Sequence, residues 1–167
     1  KMQDRYVFPI FNASDEIVGF AGRDLLTNSS SMRPKWKLIG DKSKWKYPLF
    51  LNYKLIKEQK SVIIVESIGD MLALWDCGIK NVVVSFGLDL TGTLVGTFIR
   101  FDITKIIVAF NDDSQNSGAG NRAAKKAEQK LLKYFDPDQV LVSLPTGGDF
   151  GDMSKNQILD WMGKTNG

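Results

Sequence analysis

The sequence predicts an α/β fold, in which a small antiparallel unit rich in basic residues precedes a mainly parallel sheet flanked by helices. From residue 61 onward there are four short, continuous apolar runs, which are typical of strands buried on both faces of a parallel sheet. Helical patterns separate these runs, and this alternation indicates right-handed crossover connections. The runs are Val62–Val65, Val82–Val84, Ile106–Ala109 and Val140–Val142, with helices predicted at about 69–77, 91–99, 118–134 and 154–162.

The N-terminal part has a different pattern. Two β-rich segments, Tyr6–Phe11 and Glu16–Ala21, are joined by a short polar link, as in a hairpin. We interpret the basic stretch that follows, Arg33–Lys46, as a loop, and Tyr53–Gln59 has the spacing and charge of a short helix. The sequence therefore predicts two parts, an N-terminal subdomain at 1–58 and a larger domain at 59–167.

Composition excludes several kinds of chemistry. Of the 167 residues, 43% are apolar, which is enough for a buried core. None is histidine, so enzymes with Ser-His or Cys-His catalytic groups and zinc sites with histidine ligands are excluded. The single cysteine, Cys77, cannot form an internal disulfide, and we interpret it as a core residue. No apolar run approaches the length of a membrane span and no signal peptide is visible, so we expect a cytoplasmic protein, in the host cytoplasm if viral, without a membrane partner.

Acidic residues follow three of the predicted strands. Glu66 follows the first run, Asn111-Asp112-Asp113 comes one residue after the third, and Asp149 and Asp152 lie in the loop after the fourth. The carboxyl ends of parallel strands are where ligands gather. Oxygen ligands without histidine or thiol select Mg²⁺ or Mn²⁺ and suit two-ion phosphoryl chemistry. For any one acid alone, a helix cap or a turn is the alternative interpretation.

Three further polar residues stand where helices are predicted to begin. For Asp70, a cap at the start of the first crossover helix is slightly favoured over direct metal binding. Thr91 is predicted to cap the second crossover helix, while the role of Asp89 stays open.

Several segments resemble one known family. Val65–Asp70 resembles the strand, glutamate and turn of the TOPRIM domain of primases and topoisomerases, and Asn111–Asp113 resembles its paired-aspartate motif. Pro145–Asp152 resembles the glycine and aspartate loop of primases. Further matches, to the basic part of the primase RNA polymerase domain, are Arg5–Phe11, Val18–Arg23 and Pro34–Trp36. In order and spacing, the chain resembles the TOPRIM-containing RNA polymerase domain of a bacterial or phage-type, DnaG-like DNA primase.

The resemblance implies a TOPRIM-type fold and a DNA-directed RNA polymerase that synthesises RNA primers on single-stranded DNA by two-metal nucleotidyl transfer. It implies Mg²⁺ or Mn²⁺ as cofactor, ribonucleoside triphosphates as substrates and a replicative helicase, on the same chain or another, as partner. We also expect the sequence to be a fragment of a longer enzyme. The implied catalytic residues, which are also metal ligands, are Glu66, Asp113, Asp149 and Asp152, and Asn111 and Asp112 complete the metal set.

One position departs from the family pattern. The first acid of the paired-aspartate motif falls at Asn111, whose amide oxygen can coordinate Mg²⁺ only without charge. We expect a weaker or rearranged second ion site, unless Asp112 substitutes. Asn111 is also the best support for one of two rival functions, a catalytically degenerate TOPRIM module that only binds nucleic acid. The other rival is a TOPRIM nuclease that uses the same carboxylates to hydrolyse phosphodiesters.

The basic stretch is the expected nucleotide and DNA-binding surface. Arg23 and Lys35 match basic positions of the family, and Arg5, Lys44 and Lys46 are weaker candidates. Tryptophans among the lysines suit single-stranded nucleic acid, because bases stack on rings while cations follow the backbone. The alternative is a solvated loop whose tryptophans pack against the N-terminal unit. A dinucleotide-binding interpretation of Gly118–Ala123 is rejected, because a polar insert separates it from the preceding strand.

Overall fold

The structure is a computed structural model that describes residues 2–12, 14, 16–26, 33–87, 89–115 and 117–166. The chain forms two compact units, Lys1–Phe50 and Leu51–Gly167. None of the helices in the described ranges is long and apolar enough to cross a membrane.

The first unit is a three-stranded antiparallel sheet in the order β1-β2-β3. Its strands are β1 (Arg5–Phe11), β2 (Ile17–Asp24) and β3 (Trp36–Gly40). The predicted hairpin is confirmed. The interpretation of the whole basic stretch as a loop was wrong, because β3 lies within it and pairs with β2 from Gly19↔Gly40 to Arg23↔Trp36. Lysines that flank and interrupt this short apolar run concealed its strand pattern.

A tryptophan forms the centre of the first unit. Trp45 is only 4% exposed and lies directly over β2 and β3. A side chain at Gly19 would place its Cβ 2.4 Å from Cζ2 of Trp45, so only glycine at this position lets β2 pass beneath the ring. For Trp45, the interpretation of a tryptophan packed against the N-terminal unit is therefore the correct one.

The second unit contains a four-stranded parallel sheet in the order β5-β4-β6-β7. Its strands are β4 (Ser61–Val65), β5 (Val82–Val84), β6 (Lys105–Val108) and β7 (Val140–Val142). All four predicted runs are strands, which confirms the predicted fold class. The central strands β4 and β6 lie side by side with fully buried valines and isoleucines, so the residues that follow them emerge at the same edge.

Five helices accompany the strands in the described ranges. They are α1 (Leu49–Gln59), α2 (Ile68–Asp76), α3 (Gly92–Arg100), α4 (Ala119–Leu131) and α5 (Lys155–Asn166). The Thr91 hydroxyl accepts a hydrogen bond from the Leu94 N–H at 3.1 Å, so the predicted cap of α3 is confirmed. Cys77 was predicted to be core but is only half-buried, because α2 ends at Asp76 and the chain turns at Gly78.

Candidate active site

Glu66 lies directly after β4, at the centre of the sheet edge. Its Oε1 accepts a hydrogen bond of 3.1 Å from the backbone N–H of Asn111, which follows the neighbouring strand β6. Partial burial raises the pKa of Glu66, and the charges of Asp70 and Asp113 raise it further, against the lowering effect of the Asn111 hydrogen bond. A carboxylate surrounded by other acids in this way is stabilised by a bound cation.

The first turn of α4 packs tightly against this carboxylate. A side chain at Gly120 would place its Cβ 2.2 Å from the backbone oxygen of Asn111 and 3.1 Å from Oε1 of Glu66. Glycine at this position therefore allows α4 to lie against the site. No sequence pattern indicates these contacts of Gly120, because they depend on how α4 packs against the sheet edge.

Asp113 is held at the N-terminus of α4. Its Oδ1 accepts from the Gly120 N–H at 2.9 Å, and its Oδ2 accepts from the Ala119 N–H at 2.9 Å and from the Ser117 hydroxyl at 2.7 Å. The Ser117 hydrogen bond, followed by these backbone donors, holds the pKa of Asp113 below its ordinary value. This predicted metal ligand is thus also a charged group at the positive end of a helix.

The side-chain oxygen of Asn111, Oδ1, is buried beside the candidate site. Within the described residues, no donor reaches Oδ1 of Asn111, and buried polar atoms are normally satisfied. The next residue, Asp112, accepts from Nδ2 of Asn121 at 3.0 Å and from the Ser114 N–H at 3.2 Å. The Asn121 hydrogen bond, with that of Ser114, lowers the pKa of Asp112. Asn121, which also accepts from the Asp113 N–H at 3.2 Å, was not singled out from the sequence.

Asp70 connects the first turn of α2 to the loop after β7. It is 2% exposed and forms a capping box with Ser67, which confirms the predicted cap. Its Oδ2 accepts from the Ser67 hydroxyl at 2.7 Å, and its Oδ1 accepts from the Phe150 N–H at 3.2 Å. Burial raises the pKa of Asp70, and the charge of Asp149 adds to this effect. The contact with Phe150 could not be predicted, because 80 residues separate the two positions.

The loop after β7 presents the last two predicted ligands. Gly147 and Gly148 adopt positive φ angles of 87° and 124°, which only glycine adopts readily, and a short 3₁₀ helix, Phe150–Asp152, follows. Oδ1 of Asp149 accepts from the Asp152 N–H at 3.0 Å. The Gly148 oxygen accepts from the Asp112 N–H at 2.8 Å, so this loop adjoins the loop after β6.

The oxygen atoms of the predicted metal ligands suit a hard cation, although these residues are spread along the sheet edge. In the part of the chain that the structure describes, no three acidic side chains converge closely enough to form a ready-made ion site. Mg²⁺ usually keeps several waters and is bound through one or two carboxylates, so it does not need such a cluster. Oδ1 of Asn111, which has no partner among the described residues, and the raised pKa of Glu66 both suit a bound divalent ion.

The predicted phosphate-binding residues of the first unit differ in their surroundings. The Arg23 guanidinium lies 5.7 Å from the ring centre of Trp36, in a cation–π contact, and Lys35 is exposed. The Arg5 side chain is only 4% exposed and donates to the Gly22 and Pro34 oxygens at 3.1 and 2.9 Å. Arg23 and Lys35 are therefore more accessible to a ligand than Arg5.

The two lysines predicted as weaker candidates also differ. Lys44 pairs with Asp41 at 3.3 Å, and both side chains are mostly exposed, so this ion pair contributes little to stability. Lys46 is half-buried and has an interaction within the chain. Of these two lysines, Lys44 is the more accessible.

Comparison with known proteins identifies the family. The Toprim domain family matches residues 60–143. The DNA primase of Helicobacter pylori strain J99 is 34% identical over 159 residues, which cover 94% of this chain and 27% of the primase. Each of the curated relatives compared is at least three times longer than the segment that this chain matches.

Solved structures share the fold. The Aquifex aeolicus primase structure, with zinc-binding and RNA polymerase domains, has a TM-score of 0.75 at 25% identity over 98% of this chain and 40% of that one. A DnaG primase catalytic domain bound to single-stranded DNA has a TM-score of 0.76 at 24% identity, over 96% of this chain and 51% of that one. The resemblance to DnaG-like primases is thus confirmed, and the chain belongs to the Toprim domain family.

Proposed function

We propose that this chain is the metal-binding catalytic part of a DNA primase, which joins ribonucleotides on a single-stranded DNA template. The observation that carries the proposal is the position of Glu66. It stands at the end of the central strand β4, accepts from the Asn111 backbone and has a pKa raised by burial and by Asp70 and Asp113. The primases to which the chain is similar support the proposal from sequence.

Divalent metal ions are general in this family, and the proposed ion here is Mg²⁺ or Mn²⁺. Its proposed ligands are the six residues of the predicted metal set, Glu66, Asn111, Asp112, Asp113, Asp149 and Asp152. When bound, such ions neutralise phosphate charge and stabilise the attacking and leaving oxygens of an in-line displacement. The oxygen-only donor set supports this choice.

The chain's own residues would orient this site. Asp113 holds the first turn of α4 through hydrogen bonds from Ala119 and Gly120, and Gly120 lets that turn lie against Glu66. Asp70 ties the loop that carries Asp149 to α2 through the Phe150 N–H. These contacts keep the strand-end carboxylates in place while a phosphate ligand binds, which is the preorganisation that phosphoryl transfer requires.

The remaining parts of the proposal concern partners and organisation. Arg23 and Lys35 are proposed to contact template or triphosphate phosphates, with lesser roles for Lys44, Lys46 and Arg5. Residues 1–58 are proposed as the basic part of the polymerase domain and 59–167 as its metal-binding part. The proposed substrates are ribonucleoside triphosphates, and the proposed partner is a replicative helicase.

One observation favours a second candidate, a module that binds nucleic acid without turnover. Asn111 is neutral where the family pattern has an acid, and a site with one charge fewer binds a second divalent ion more weakly. Oδ1 of Asn111 is buried with no partner among the described residues, a state that a bound ion would relieve, and we therefore favour the catalytic function.

The test is template-dependent incorporation of ribonucleotides on single-stranded DNA by the natural full-length protein, with Mg²⁺ and with Mn²⁺. We expect Glu66→Gln to abolish synthesis and Glu58→Gln, at an exposed position of α1, to leave it unchanged. Cleavage of the DNA in place of synthesis would support a nuclease. DNA binding without synthesis or cleavage would support the degenerate module.

A further inference from the structure

A groove runs along one face of α4 within the second unit. Its volume is about 600 Å³, which is within the usual range for small-molecule sites. Small side chains of α4, among them Ala123 and Ala127, line one wall, and Asp89 and Leu90 belong to the opposite wall. The groove begins at Glu66 and Gly120, so it opens from the candidate active site.

The two ends of the groove carry opposite charge. Glu66 lies at one end, and three lysines of the C-terminal part of α4 and the turn after it lie toward the other, Lys126, Lys130 and Lys133. With a helical rise of 1.5 Å per residue, Lys126 and Lys130 stand about 9 and 15 Å along the axis from Gly120. This separation is comparable to the length of a nucleoside triphosphate from its 3′-hydroxyl to its terminal phosphate.

The lysines now contact the opposite wall in ways that a phosphate can replace. Nζ of Lys126 lies 2.6 Å from Oδ2 of Asp89, and both side chains are about two-thirds exposed, so the pair contributes little. Nζ of Lys130 donates to the Leu90 backbone oxygen. Both ammonium groups are thus already directed across the groove, and a triphosphate offers them stronger, charge-assisted partners.

We propose that this groove binds the ribonucleoside triphosphate that supplies the attacking 3′-hydroxyl when the first two nucleotides are joined. Its hydroxyl lies toward Glu66, its base contacts the apolar wall near Ala123, and its 5′-triphosphate lies on Lys126 and Lys130. This inference rests on the proposed function and adds a substrate position to it.

The charges of the two nucleotides in that reaction explain the orientation. The 3′-oxygen of the first nucleotide bonds to the α-phosphorus of a second nucleoside triphosphate, the bond from that phosphorus to the bridging oxygen breaks, and pyrophosphate leaves. The hydroxyl proton passes to water. The second nucleotide presents its triphosphate to the active site, whereas the first presents only its hydroxyl and directs its own triphosphate away. A groove with an acid at the reaction end and lysines at the far end selects the first nucleotide.

The test measures ATP binding to this chain by calorimetry in EDTA, so that neither metal binding nor transfer contributes. We expect Lys126→Gln and Lys130→Gln each to weaken ATP binding by about tenfold, with little effect on AMP. Lys125→Gln is the matched control, because this exposed lysine of the same helix does not line the groove. Ala123→Leu, which fills the groove at an exposed helix position, should remove the part of ATP binding that depends on Lys126 and Lys130, while the chain stays folded.

Two results would overturn the inference. One is ATP binding that is equal in the wild type and in all three groove variants. The other is inorganic tripolyphosphate that binds as tightly as ATP, because the lysines would then be a general anion site.

A kinetic measurement separates this inference from the proposed function. In the full-length protein, Lys130→Gln should raise the KM for the first nucleotide in dinucleotide formation by about tenfold, yet leave extension of a preformed 5′-hydroxyl primer unchanged. Loss of synthesis in Glu66→Gln together with an unchanged KM in Lys130→Gln would refute the groove and keep the primase. Lysine-dependent ATP binding without any synthesis would refute the primase and keep the groove.

Discussion

Gly120→Ala adds one methyl group at the point where α4 meets the candidate active site. The new Cβ would lie 2.2 Å from the backbone oxygen of Asn111, so the two atoms must separate by about 1 Å to reach ordinary contact. The obstacle is backbone and cannot rotate away. Forcing an extra carbon into a packed site costs about 1–3 kcal/mol, and this contact lies in the upper half of that range.

The same substitution also has a favourable effect. Alanine is about 1 kcal/mol better than glycine inside a helix, and less than that in a first turn such as that of α4. We therefore expect Gly120→Ala to lower the free energy of unfolding by about 1–3 kcal/mol, or the melting temperature by about 3–9 °C. Displacing Asn111 and Glu66 should also weaken Mn²⁺ binding by at least about tenfold.

Gly96→Ala is the matched control. Gly96 lies within α3, and apart from its own stretch of helix no atom of the described residues lies within 4 Å of the position that an added Cβ would occupy, so only the helix preference should act. We expect this variant to be more stable than wild type by up to about 1 kcal/mol, with unchanged metal binding. Urea denaturation and Mn²⁺ titration of both variants test the reasoning. It would be refuted if Gly120→Ala were stabilised as much as Gly96→Ala and still bound Mn²⁺ normally.

Three further predictions concern the carboxylates. The pKa of Glu66 is raised in the folded state, so its ionisation destabilises the fold as pH rises from the unfolded pKa through the folded pKa. Without metal, Glu66→Gln should therefore be more stable than wild type at pH 7 and equally stable near pH 3. An equal difference in stability at both pH values, measured by urea denaturation, would contradict this prediction. Asp70→Asn should lower the free energy of unfolding by about 1–3 kcal/mol, because its single amide oxygen can accept from only one side, Ser67 or Phe150, and leaves the other donor unpaired. An unchanged urea midpoint would count against the role of Asp70 in joining α2 to the loop after β7. Asn111→Asp should strengthen Mn²⁺ binding about tenfold in calorimetry, and it should lower the free energy of unfolding without metal, because it adds a charge among other acids. Weaker Mn²⁺ binding would show that position 111 faces away from the ion.

The elements of the second unit could be predicted from local sequence. Continuous apolar runs such as Val62–Val65 have few alternatives to a buried parallel strand, and acids placed directly after them must lie at one sheet edge. Caps such as Thr91 depend only on residues within the same turn, which is why that prediction is confirmed. The family resemblance rested on the order of these same short motifs.

Contacts between distant segments could not be predicted in the same way. The approach of Gly120 to Asn111, and the hydrogen bond from Phe150 to Asp70, depend on how separate loops pack at the sheet edge. The strand β3 was concealed because pairing with β2, rather than its own composition, makes it a strand. The groove along α4 likewise depends on the wall that contains Asp89 and Leu90.

Calorimetric titration of Mn²⁺ into wild type, Glu66→Gln and Glu58→Gln tests most directly whether the strand-end carboxylates hold a metal ion. Glu66→Gln is preferable to a change at Asp113, which would also remove the hydrogen bonds at the start of α4. We predict that wild type and Glu58→Gln bind Mn²⁺ equally and that Glu66→Gln binds it at least about tenfold more weakly. Equal binding by all three proteins, or no binding by any of them, would contradict the proposed active site.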